Sequence, residues 1–429
     1  MAQAMLPSDR RVPAILGGSP AFPEGLPLVR PSVPNAEALA NDLRRILDSR
    51  HLTNGPYVRR LEERAAEYLG VRHCVAVASC TSGLMLVIRA AELTGEVIVP
   101  SFTFAATAHA VAWNGLRPVF ADIDPGTLTL SPQAVQRTIG VRTSAILATH
   151  VFGTPCDVEG LAAAALEHGI DLFFDAAHAF GSRSGEKQVG GFGHAEVFSL
   201  SPTKVMVAGE GGIIATNDDV LAERCRIGRD YGNPGDYDCI FVGLNARMSE
   251  LHAALALRSL DGLEERLDRR NGLAGAYRAA LAELPGISFP LVPEGSRSTF
   301  KDFTILVDPD AFGLDAAELG RVLAAEGVET RRYYAPPVHT MRAYRYLNGR
   351  NGYLPVTDQI SARVLTLPLW SDMTESHLLR VVEAIDVIHR AARRENFPTV
   401  TGEKILRPQD GPAGLRAYGN GGSEGGRDG

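Results

Sequence analysis

Apolar positions along this chain change period several times, and each change marks an element. From residue 36 to 70 they recur at helical spacing, as Leu43, Ile46 and Leu47, then Leu61, Ala65 and Tyr68. From residue 73 short apolar runs take over: HCVAV, EVIVP at 96–100, PVFAD at 118–122, AILAT at 145–149, DLFFD at 171–175, EVFSL at 196–200 and GGIIAT at 211–216. Helical patterns separate many of them, at 82–93, 104–114, 157–168 and 218–230. The runs are apolar almost throughout, so their sheet must be covered on both faces, and the helices supply the cover. The predicted fold is α/β with a mostly parallel central sheet.

A long helical region is predicted from about 247 to 282. Its charged run, Glu264-Glu265-Arg266 to Arg269-Arg270, reads as a solvated helix face. Strand-like ISFPLV and FTILV follow, then a helix over 315–327 and a closing helix near 375–393. The chain thus divides into an irregular N-terminal arm (1–35), a large domain (36–282), a smaller C-terminal α/β domain (283–400) and a tail (401–429). The last 19 residues hold 8 glycines and little apolar content, so the tail is expected to be disordered.

Composition narrows the function. A chain of 429 residues, 45% hydrophobic and 22% charged, buries a sizeable core without disulfide or metal staples. The net charge of -7 argues against a partner bound by its phosphate backbone, so no nucleic acid is expected. Cys74, Cys80, Cys156, Cys225 and Cys239 are scattered, with no C-x-x-C pair, which fits a reducing compartment and no zinc site. No apolar run approaches the ~20 residues that span a membrane. The Val12–Leu16 stretch is too short for a signal-peptide core, so a cytoplasmic protein without membrane partners is expected.

In an open parallel sheet, ligands bind beyond the carboxyl ends of the strands. Three polar clusters fall there. The first is Ser79-Cys80-Thr81-Ser82-Gly83, at the start of a helix, where free N–H groups and hydroxyls suit a phosphate. The second is Asp175-Ala176-Ala177-His178, an acid closing a buried strand and needing a partner such as a protonated ring nitrogen. The third is Ser199 to Lys204, followed by Gly209-Glu210-Gly211-Gly212, where desolvation would make the lysine amine nucleophilic. Alone, each has an ordinary reading: an N-cap, a turn-capping aspartate, a surface lysine. Together, in this order on strand ends, they are the three groups that hold pyridoxal phosphate by its phosphate, ring nitrogen and aldehyde carbon.

The chain resembles the DegT/DnrJ/EryC1/StrS family of sugar aminotransferases, which have the fold-type I (aspartate aminotransferase-like) architecture. The matching stretches are LTNGPYVRRLEERAAEYLGVRH, SCTSGL, VPSFTFAATAHAV, PVFADIDPGTLTL, THVFGTPCDVEGL, DAAHAFGS, FSLSPTKVMVAGEGGIIAT, GLNARMSELHAA and LPLWSDMT, in family order over roughly 50–390. The resemblance implies roles. Lys204 matches the lysine that bonds the cofactor's aldehyde, and Asp175 matches the acid paired with the pyridine nitrogen. His178 matches the position beside the ring hydroxyl, and Phe104 the aromatic stacked on the ring. Thr81, Ser82 and Ser199 match the phosphate site. Asn245 matches an asparagine that reaches the neighbouring subunit's phosphate, which implies a homodimer with shared active sites. Arg331, Arg332, Tyr333 and Tyr334 fall where the family often lines the acceptor pocket; they read equally as a charged loop.

Two departures stand out. Cys80 replaces the usual glycine of the phosphate turn, which is harmless only with an ordinary backbone φ. Ser201 replaces a usual histidine of the lysine loop. Family members that act as dehydratases carry histidine in place of the lysine, so Lys204 argues for transamination. The implied reaction is ping-pong transfer from an amino acid, L-glutamate by family analogy, to a nucleotide-linked keto-deoxysugar. A keto-cyclitol is the nearest alternative acceptor, since Ala14–Pro20 resembles that subgroup. A pyridoxal phosphate-binding regulator without turnover is the alternative of another class. A lyase would need a further group such as Cys239.

Overall fold

The computed structural model describes residues 12–32, 35–347 and 353–394. Its strands are β1 (His73–Val77), β2 (Glu96–Pro100), β3 (Arg117–Ala121), β4 (Thr143–Thr149), β5 (Asp171–Asp175), a two-residue hairpin β6 (Arg183–Ser184) and β7 (Lys187–Gln188), then β8 (Ala195–Ser199), β9 (Gly212–Thr216), β10 (Ile287–Ser288), β11 (Phe303–Val307) and β12 (Val364–Leu367). Seven form the central sheet in the order β1-β9-β8-β5-β4-β2-β3. The pairs β3–β2, β2–β4, β4–β5 and β5–β8 are parallel, and β9 runs antiparallel between β8 and β1. All seven expected runs are therefore strands of one mostly parallel sheet.

Alternation within the apolar runs explains why both faces are dry. In β1, Val75 and Val77 pack into one cluster with Val97, Val99, Leu147 and Val197. Cys74 and Ala76, pointing the other way, join Phe198, Ile213 and Leu61. Each such valine or leucine contributes roughly 1.5–3 kcal/mol on full burial.

Helices fall where the periodicity predicts them: Cys80–Ala90, Ala105–Trp113, Val158–His168, Asp219–Gly228, Ala316–Ala325 and Glu375–Ala392. The region 247–282 is two helices, Glu250–Asp261 and Leu263–Leu281, because Gly262 has φ -117° and ψ 25° and breaks the helix between them. ISFPLV is a strand only at Ile287–Ser288; Pro290 and Pro293 lack the N–H a ladder needs. Helices Pro132–Thr138 and Pro355–Arg363 were not anticipated.

The second sheet, β10-β11-β12, is antiparallel. We propose that the expected division near residue 282 separates the two sheets within one compact unit. The described part of the N-terminal arm, residues 12–32, is largely irregular but pinned. Leu26 bridges Val328, Phe22 and Ala21 are buried, and Glu326 accepts the amides of Ala14 and Ala21 at 2.8 Å. The predicted tail, 401–429, lies outside the described residues. Among the described residues no helix is long and apolar enough to cross a membrane, and no cluster of acidic, histidine or cysteine side chains could hold a metal ion.

Candidate active site

A cavity of 290 Å³ opens where the carboxyl ends of β5 and β8 meet the turns after β1 and β2. Four sequence segments reach it for local reasons. After β1 the chain enters helix Cys80–Ala90, capped by Ser79, whose hydroxyl accepts the Ser82 amide at 3.1 Å. After β2 the chain extends to Phe104, the N-cap of helix Ala105–Trp113; Phe104 is 64% exposed and lines the cavity. β5 ends on Asp175, with Ala177 and His178 beyond it. β8 ends on Ser199, and the loop to β9 carries Ser201, Thr203 and Lys204.

One glycine makes this assembly possible. A Cβ on Gly212 would lie 2.7 Å from Cys80 N and from the Ser79 carbonyl carbon. Only a residue without Cβ lets β9 run directly beneath the turn that opens the helix.

Asp175 is 4% exposed. Its Oδ2 accepts a 2.6 Å hydrogen bond from Thr107 Oγ1 and its Oδ1 accepts the Ala177 amide at 3.1 Å. Burial pushes the carboxyl up, against the pull of the Thr107 hydroxyl, the Ala177 amide and the nearby Lys204 charge. Lys204 is shifted the other way. Desolvation, aided by the positive charge of Lys301, pushes its amine down to about 8, with Asp302, Cys80 and Asp175 opposing. His178 Nδ1 accepts the Phe152 amide at 3.1 Å, so the ring carries its proton on Nε2. Burial, then the charges of Lys204 and Lys301, hold it well below the usual imidazole range, and it is neutral.

Beneath the site, His150 and Glu196 are fully buried and paired at 3.0 Å. His150 donates its backbone N–H to the Asp175 carbonyl at 3.1 Å, which ties the acid-bearing turn to β4's exit. Cys80 is the first residue of its helix and has no positive φ, so the departure from glycine costs the turn nothing. Burial pushes its thiol well above the ordinary range, so it stays protonated.

Of the residues expected from sequence, Thr81, Phe104, Asp175, His178, Ser199, Lys204 and Tyr333 line this one cavity. Ser82 does not. Its hydroxyl is used in the capping box, donating to the Ser79 carbonyl at 2.8 Å, and Ser79 stands on the cavity instead. Arg331 and Arg332 are also turned away. Arg331 pairs with Glu329 at 2.8 Å, and Arg332 donates to the carbonyls of Ser361 and Ala362. Asn245 is outside the cavity of its own chain, its Oδ1 accepting from Arg247 at 3.4 Å. Tyr334, adjacent to Tyr333, lines the cavity too, while sequence reasoning missed Thr107, Lys301 and Asp302. The first had a faint signal, two threonines one helical turn apart in SFTFAATA; Thr103 and Thr107 share a 2.8 Å hydrogen bond.

The groups present fit pyridoxal phosphate. A depressed amine, a buried carboxylate relying on a few donors, an exposed aromatic face and a cradle of hydroxyls at a helix N-terminus surround one space.

Comparison with known proteins agrees. The chain matches the DegT/DnrJ/EryC1/StrS aminotransferase family over residues 35–386. It is 33% identical over 363 residues to a pleiotropic regulatory protein of Geobacillus stearothermophilus, covering 82% of this chain and 96% of the relative. It is 31% identical over 364 residues to the dTDP-4-amino-4,6-dideoxy-D-glucose transaminase of Escherichia coli, covering 84% and 98%. Among solved structures, DesI in the presence of its TDP-sugar product superposes with a TM-score of 0.84 at 41% identity, covering 89% of this chain and 96% of that one. This chain is thus a member of the DegT/DnrJ/EryC1/StrS family, a transaminase whose cofactor is pyridoxal phosphate.

Proposed function

We propose that this protein moves an amino group from an amino acid, L-glutamate, to a keto-deoxysugar carried on a nucleotide. The observation that carries the reading is the Lys204 amine, pushed down to about 8 in the same cavity as the buried Asp175. The relatives supply the substrate class: a dTDP-aminosugar transaminase and a protein solved with a TDP-sugar product.

The roles follow from the geometry. Lys204 would bond the cofactor's aldehyde, and its amine, once free, accepts and returns a proton near neutral pH. Asp175 would face the ring nitrogen, Phe104 the ring face, and His178 the ring hydroxyl through the proton on Nε2. Thr81, Ser199 and the first amides of helix Cys80–Ala90 would hold the phosphate. When bound, the cofactor supplies an electron sink for the charge left at the donor's α-carbon. Tyr333 and Tyr334 also line the cavity.

A homodimer is part of this proposal. The segment leading to Asn245 exposes Tyr237, Ile240 and Val242 at 93%, 61% and 73%. Apolar side chains so displayed suit a subunit interface, and Asn245 would then serve the partner's phosphate site. Sedimentation at micromolar concentration tests it; a monomer would contradict it.

The regulatory relative favours a second reading, a cofactor-binding regulator without turnover. One experiment separates the two. Glutamate added to the holoenzyme should bleach its yellow absorbance, and a TDP-4-keto-6-deoxysugar should restore it. An absorbance indifferent to every amino acid would support the regulator.

A further inference from the structure

The cavity contains a second lysine that the roles above leave unused. Lys301 directly precedes Asp302 and β11, and both side chains line the cavity with Lys204. Lys301 is 7% exposed, its Nζ 2.7 Å from Asp302 Oδ1 and 5.4 Å from the centre of the Tyr333 ring. The backbone holds it in place: its N–H donates to Phe152 O at 3.0 Å, and Arg270 donates to its carbonyl at 2.9 Å.

This ion pair is incomplete. Asp302 Oδ2 is buried and has no hydrogen-bond partner among the described residues. The Lys301 ammonium has three protons and spends one on Asp302. A pair withdrawn from water is costly unless further hydrogen bonds complete it. At a cavity wall, an anionic ligand would take the two spare Lys301 protons, while the Asp302 acceptor would gain nothing from it.

The reaction decides which ligand, and this step rests on the aminotransferase reading. An amino donor carries an α-carboxylate on the same carbon as the reacting amine, so that carboxylate must enter beside Lys204. Among the described lining residues the cationic side chains are Lys204, which reacts, and Lys301; His178 is neutral and no arginine is present.

We infer that Lys301 binds the donor's α-carboxylate, with Asp302 as the counterion that neutralises it when a carboxylate-free acceptor fills the same cavity. A ping-pong enzyme must receive an anionic and then an uncharged reacting group in one place. An unpaired buried cation would oppose the second. A counterion on the adjacent residue lets one pocket serve both.

The test uses 2-aminoisobutyrate, which has an α-carboxylate but neither a side-chain carboxylate nor an α-proton. Its binding to the holoenzyme is read from the visible spectrum and compared with that of 2-aminoisobutyramide. Wild type should prefer the acid by about 10- to 100-fold, the worth of one hydrogen bond to a charged group. Lys301→Gln should lose that preference and Lys301→Arg should keep most of it. Asp302→Asn, which frees the cation, should increase it. A preference unchanged in Lys301→Gln, or both ligands weakened alike, would overturn the assignment, as would a preference that does not rise in Asp302→Asn. Failure of the underlying reading looks different: wild type itself would respond to neither ligand.

Discussion

Thr107 Oγ1 donates a 2.6 Å hydrogen bond to Asp175 Oδ2, the shortest contact that the acid makes. Both residues are buried, and Thr107 in turn shares a hydrogen bond with Thr103, which reaches Thr149 at 3.2 Å. A threonine chain therefore links the ends of β2 and β4 to the acid that ends β5. Thr107→Val keeps the shape and removes the donor. The Asp175 carboxyl should then rise further, because the Thr107 bond is the largest influence holding it down. We expect kcat to fall about tenfold or more, and the acid limb of its pH profile to move to higher pH. Thr107→Ser should restore both. An unmoved acid limb in the valine variant would remove this role.

Lys204 titrates near 8, so the neutral amine that attacks an aldehyde grows tenfold per pH unit below that value and levels off above it. Loading of the cofactor-free protein with pyridoxal phosphate should follow the same curve in stopped-flow absorbance. A rate still climbing at pH 9.5 would mean an ordinary lysine. Stability follows from the same shift. Between about 8 and 10.5 the unfolded chain holds the Lys204 proton and the folded chain does not. Stability of the cofactor-free protein should therefore rise with pH through that window, with the full burial cost present below it. Thermal melts of wild type against Lys204→Met report the difference.

Lys204→Ala should abolish amine transfer while the phosphate cradle still binds the cofactor non-covalently. Retained turnover, measured as 2-oxoglutarate formed from glutamate, would contradict the assignment of Lys204.

Gly212→Ala places a methyl against backbone atoms of Ser79 and Cys80 that cannot yield as a flexible side chain would. The expected cost is about 1–3 kcal/mol of stability, and a larger loss in cofactor affinity, since the displaced turn is the cradle itself. Gly275→Ala, on helix Leu263–Leu281 with nothing within 4 Å, is the control and should be neutral or stabilising. Equal behaviour in the two variants, by melting temperature and cofactor Kd, would show that the close approach is unimportant.

The central sheet was legible because its physical signal is local. A strand buried on both faces has to be apolar at every position, and seven such runs stand out against amphipathic helices. Boundaries were less legible. Helix Cys80–Ala90 begins two residues earlier than its pattern because Ser79 is the cap. The same capping box keeps Ser82 off the cavity, since a hydroxyl serving its own helix terminus is not free for a ligand. Arg331 and Arg332 read as pocket residues by position, yet Glu329 and two carbonyls of the following segment claim them. Lys301 and Asp302 gave only the sign of two charges entering a buried strand.

The family, and the order in which Asp175 and Lys204 follow the Ser79–Ser82 turn on the strand ends, were legible in the amino-acid sequence, because each is carried by residue type and spacing within a few positions. Which hydroxyls face the cavity, which cations are spent on other partners, and the depressed amine of Lys204 were settled by the tertiary structure alone. Those properties depend on desolvation and on neighbours far away in the chain, such as Lys301 and Cys80 near Lys204, and no local pattern encodes them.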